Sequence, residues 1–77
     1  MRAYRDAYEA KLAYLKEELG PEYTTVPRVS KILHIDPGRL RADPTFPAVP
    51  FGKRSRVPID SLARWLVDME FKQRRSR

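Results

Sequence analysis

Seven cationic side chains fall into three clusters in the middle of this 77-residue chain: Arg28 with Lys31, Arg39 with Arg41, and Lys53 with Arg54 and Arg56. Groups of this kind bind polyanions. The planar fork of arginine matches the O6 and N7 acceptors of guanine in a major groove, worth about 1 to 3 kcal/mol of discrimination when bidentate. Lysine supplies a point charge for phosphate. Arg39 and Arg41 stand two residues apart, so on a helix they point about 200° apart and cannot both read one base step. One is expected on a base edge and the other on a phosphate, with Gly38 beside them leaving room for a close approach to the backbone. Arg54 and Arg56 alternate onto one face of a strand, with Ser55 on the other. Mere solvation of a helix surface, or protection of a sheet edge, are the competing uses of such charges. Edge protection accounts for one lysine better than for three cations.

Catalytic chemistry finds little to work with. The chain holds one histidine, no cysteine and no glycine-rich phosphate loop. Ser30 and His34 are the one suggestive pair, a helical turn apart, and they lack an orienting acid and an oxyanion site. Asp36, Asp43 and Asp60 all fall at expected helix boundaries, where capping explains them. The reading is a non-enzyme with no metal and no cofactor.

The elements that must position the cations follow from periodicity and punctuation. Residues 3–19 lack Gly and Pro, and Gly20-Pro21 supplies a stop, so a first helix is expected there. Tyr4, Tyr8, Leu12, Leu15 and Leu19 form one apolar stripe along it, which needs a cover. Either the rest of the domain or a second chain could supply one. A second helix is expected after Thr25, whose hydroxyl is placed to cap it, with Pro27 in the first turn and Val29, Ile32 and Leu33 facing a core. After a turn at His34-Ile35, Asp36 caps a third helix that opens on Pro37 and ends at Asp43-Pro44. Prolines 44, 47, 50 and 58 exclude a central strand but permit short edge strands over 48–51 and 56–59, joined through Gly52. Asp60 or Ser61 is expected to start a last helix with Leu62, Trp65, Leu66 and Met69 on its inner face. Arg74 to Arg77 are expected to fray. Tyr23, Phe46, Phe51, Val49 and Trp65 are assigned to the core with the aliphatic residues.

The charge is divided unevenly along these elements. Residues 1–20 balance four cations against four acids, so the whole net charge of +6 falls on 21–77. That division suggests a polyanionic partner for the second segment and another task for the first. A chain of this size buries only about 60% of its unfolded surface, so its core is marginal. The lack of cysteine, of an apolar segment long enough for a membrane and of a signal-like start points to a cytoplasmic protein.

The order helix, tight turn, helix, basic two-stranded ribbon, helix resembles the winged helix-turn-helix domains of the MerR-like and excisionase group over Tyr23 to Met69. The resemblance rests on Tyr23-Thr24-Thr25-Val26-Pro27, on Val29-Ser30-Lys31-Ile32-Leu33-His34-Ile35, and on Asp36 opening the third helix. Phe46-Pro47-Ala48-Val49, Gly52-Lys53-Arg54-Ser55-Arg56-Val57-Pro58 and Leu62-Ala63-Arg64-Trp65-Leu66 complete it. His34 stands where such domains often carry glycine, and Arg28 where they often carry an acid. The resemblance implies a mainly α fold with a small β-hairpin, a winged helix-turn-helix preceded by an extra N-terminal helix. Its parts would be an amphipathic helix over 1–20, the DNA-binding domain over 21–71 and a basic tail over 72–77.

The implied function is a sequence-specific double-stranded DNA-binding accessory factor, excisionase-like, that bends DNA to direct recombination, with an integrase and further copies of itself as candidate partners. Pro37, Gly38, Arg39 and Arg41 would lie in the major groove, Lys53, Arg54, Ser55 and Arg56 would form the wing, and Thr25, Arg28 and Lys31 would touch the backbone. A small transcriptional regulator or a terminase-type recognition subunit could use the same fold. An adaptor binding proteins through the N-terminal stripe is the alternative of another class. RNA fits less well, because the aromatics read as buried.

Overall fold

A computed structural model describes residues 2–75. The chain is mainly helical, with a three-stranded antiparallel sheet: α1 (Arg2–Leu19), β1 (Tyr23–Thr24), α2 (Val26–Leu33), α3 (Pro37–Ala42), β2 (Val49–Phe51), β3 (Arg54–Pro58) and α4 (Ile59–Arg75). The strand order is β1-β3-β2. The third strand was not expected. Tyr23 and Thr24 pair with Pro58 and Val57, so β3 lies between β1 and β2 and is the central strand that the prolines were expected to exclude. Pro58 is tolerated because it closes the strand, beyond the residues that pair with β2. The strand boundaries also differ from expectation, because the turn is only Gly52-Lys53 and β3 therefore begins at Arg54. Gly52 has φ 62°, which a II′ turn demands at its first central position.

The stripe on α1 is covered within the chain. Leu15 and Leu19 are buried and join one core with Val26, Val29, Leu40, Phe46, Val57, Ile59, Leu62, Ala63 and Trp65, while Tyr8 and Leu12 pack at its edge. Helix α4 is the cover. At one end the Tyr4 hydroxyl donates to Asp68 Oδ1 at 2.6 Å, and the Tyr4 and Phe71 rings meet edge to face with centroids 5.4 Å apart. Lys11 Nζ lies 2.8 Å from Glu70 Oε2. Donation to the Asp68 carboxylate holds the Tyr4 phenol above its ordinary pKa.

Helix α4 starts at Ile59, before the expected Asp60 or Ser61, because β3 passes into it without a linker and the Ile59 amide donates to the Glu22 carbonyl. It continues to Arg75, past the residue at which fraying was expected; Ser76 and Arg77 of the basic tail lie outside the described residues. Its inner face is also broader than expected. Ala63 and Val67 are fully buried, whereas Met69 is exposed, since α4 has α1 on one side and the sheet on the other. No described helix is long and apolar enough to cross a membrane.

Candidate nucleic-acid interface

Helices α2 and α3 are joined by a tight turn whose geometry the residues specify closely. His34 adopts the left-handed conformation, φ 58° and ψ 41°. That is the conformation glycine normally supplies at a helix end. The Ile35 amide donates back to the Ser30 carbonyl, the 6→1 bond of a Schellman motif. The Ser30 hydroxyl donates to the Ile35 carbonyl. The Ser30-His34 pair singled out from sequence is thus used to close the turn.

The Asp36 carboxylate caps α3, accepting from the amides of Gly38 at 3.0 Å and Arg39 at 3.3 Å. A β-carbon at position 38 would stand 3.0 Å from Asp36 Oδ2, so Gly38 leaves the cap room. Thr25 does not cap α2: its side chain makes no capping hydrogen bond. Pro27 occupies the second helical position and removes one of the two amides that an N-cap hydroxyl ordinarily binds.

Leu40 is buried and points α3 at the core. Arg39 and Arg41 therefore leave the helix on either side of that anchor, each about 100° from it, and both are exposed. Pro37 is half-buried. On α2, Val26 and Val29 are buried, while Thr25, Arg28 and Lys31 are exposed. Arg28 and Lys31 line one groove together with Glu18, Leu19 and Ile32. Lys53, Arg54, Ser55 and Arg56 are all exposed. Among the described residues none of the seven cations is held in an ion pair. All seven side chains are exposed, and Glu18 is the acid that shares the groove of Arg28 and Lys31.

A relay ties the segment after α3 to α4. Trp65 Nε1 donates to Thr45 Oγ1 at 3.0 Å, and the Thr45 hydroxyl donates to Asp43 Oδ1 at 2.7 Å. The Thr45 amide donates to the same oxygen at 2.9 Å. Donation from the Thr45 hydroxyl, then from its amide, holds the Asp43 carboxyl below its ordinary value. Phe46 packs edge to face on Trp65, centroids 5.1 Å apart.

The hairpin overturns part of the expected core. Tyr23, Val49 and Phe51 are exposed, at 47%, 40% and 48%. Pairing explains it. Across the two-residue turn Phe51 sits opposite Arg54, and Val49 opposite Arg56, so both apolar residues share the outward face with the arginines. Tyr23 joins them, opposite Pro58. Val57 and Thr24 point the other way and are buried. The signal was present in the sequence, because a two-residue turn at Gly52-Lys53 forces residues 51 and 54 onto one face.

Among the described residues no group of three His, Cys, Asp or Glu side chains is placed to hold a metal ion. No protein-family model matches the chain, and no curated protein or solved structure matches it at a significant level.

Proposed function

We propose that this cytoplasmic, non-catalytic protein binds double-stranded DNA sequence-specifically as an excisionase-like accessory factor, through a winged helix-turn-helix spanning α2 to α4. The observation that carries the reading is the set of seven exposed cations on α2, α3 and the hairpin, none of them neutralised by an ion pair among the described residues. Helix α3 enters the major groove with Arg39 and Arg41, the hairpin engages the adjoining groove, and Arg28 and Lys31 meet phosphates where α2 crosses the backbone. Bound copies, or an integrase, share the assembled surface.

The left-handed His34 supports the same reading, since it gives this chain a closed interhelical turn without the glycine common in such domains. The adaptor alternative relied on a free stripe on α1, and α4 occupies that stripe. A transcriptional regulator would use the same surface in the same way and differs in genomic context, not in physical chemistry.

Ionic strength tests the reading. With about six cations on phosphates, the logarithm of the association constant should fall against the logarithm of salt concentration with a slope of about −5. Fluorescence anisotropy on a random duplex and on one selected from a random pool should give that slope on both, with tighter binding to the selected site. A slope near zero, or equal affinity for both duplexes, contradicts the proposal.

A further inference from the structure

The outward face of the sheet leaves Tyr23, Val49 and Phe51 in water although the chain has little core to spare. These residues are interleaved with charge: Phe51 lies across from Arg54 and Val49 across from Arg56. Phe51 directly precedes the Gly52-Lys53 turn, so it stands at the hairpin tip. Its ring is braced there. Tyr23 meets it at 71°, with centroids 5.8 Å apart, and the Arg56 guanidinium carbon lies 5.7 Å from its centre. A half-exposed aromatic ring fixed in this way has already lost much of the freedom that docking would otherwise cost.

From this geometry we infer that Phe51 is a wedge that enters a base step of duplex DNA, with Tyr23 behind it and Lys53, Arg54 and Arg56 on the flanking phosphates. The inference rests on the DNA-binding reading above and adds a residue and a mode of deformation to it. The occupant follows from complementarity. A base step presents a π surface for the ring between two phosphate strands for the cations, and the stretch from Lys53 to Arg56 contains no acid to repel them. Apolar wedges of this type enter from the minor groove, partly unstack the step and kink the duplex by about 20 to 90°. Pyrimidine–purine steps unstack most readily, so the wedge selects TA or CA/TG at its point of entry. Sequence preference at that step would then arise without a hydrogen bond to either base.

The test uses the full chain and a duplex selected from a random pool, carrying donor and acceptor fluorophores at its ends and 2-aminopurine at successive positions. Wild-type binding should bring the ends together and raise 2-aminopurine emission at one step. Phe51→Ala and the bulkier polar Phe51→Gln should abolish that emission, remove at least half of the bend and weaken binding by about tenfold. Phe51→Leu, which keeps an apolar wedge, should restore both signals. Circular dichroism melting checks that each variant folds; if either loss variant fails to fold, the other is compared with Phe51→Leu. Bending and emission unchanged from wild type in a folded loss variant would overturn the wedge, leave duplex binding standing and assign this face to a protein partner. Failure of the wild type to bind any duplex would overturn the DNA-binding reading and the wedge with it.

Discussion

His34 carries a β-carbon through a left-handed turn, a conformation that costs a residue other than glycine about 1 to 2 kcal/mol. Glycine bears no such cost in the folded chain, though it adds entropy to the unfolded one. His34→Gly is therefore expected to stabilise the protein by about 0.5 to 1 kcal/mol, raising Tm by a few degrees in a circular dichroism melt. Thr45 is an exposed residue in a proline-rich stretch, and nothing in its type or spacing marks it. The fold nevertheless makes it both acceptor for Trp65 and donor to Asp43. Thr45→Val leaves the indole N–H unpaired and should cost about 1 kcal/mol at neutral pH. The same change removes the larger of the two donations to the Asp43 carboxyl and leaves that of the position-45 amide. Because that carboxyl is held below its ordinary value of 3.8, its contribution is present above the unfolded pKa and is lost as pH falls through the folded one. Wild-type Tm should accordingly drop more steeply than that of Thr45→Val on acidification through and below pH 3.8, as melts at several pH values would record.

Among the elements, α1 and the hairpin differ in how far local pattern fixes their packing. The stripe of α1 was legible because a helix repeats its inner face every three or four residues, and Leu15 is indeed fully buried. The identity of its cover was not legible, since α4 and a second chain offer the same apolar surface to a periodic pattern. With α4 as the cover, Leu15→Ala opens a cavity inside the single core and should destabilise the fold by about 2 to 5 kcal/mol, independent of protein concentration in urea titrations. A dimer-dependent helix would instead show a midpoint that rises with concentration. In the hairpin Arg54 and Arg56 share one face as expected, whereas Phe51 and Val49 opposite them, expected inward on hydrophobicity alone, lie on that same outward face. Register decides the matter, and a two-residue turn fixes register. The short strand Tyr23–Thr24 has no signature in the sequence, because two residues carry no period. It also leaves Thr24 Oγ1 buried without a hydrogen-bond partner.

For the protein as one body, 38 × 26 × 19 Å in extent, the charge is segregated by segment: a neutral first helix packs on α4, and the whole excess of +6 belongs to the remainder. Under the proposed function, the salt slope of about −5 counts the cations that meet phosphate together and belongs to no one arginine. Composition and spacing were enough to specify the helices, their caps at Asp36 and Gly20 and the residues that carry charge, because each of these is set by neighbours a few positions away along the chain. Long-range packing settled the rest: α1 against α4, the third strand, the Trp65-Thr45-Asp43 relay and the exposure of Phe51. Those depend on which surfaces meet across many residues, where several partners satisfy the same local pattern and only the closure of one shared core discriminates between them.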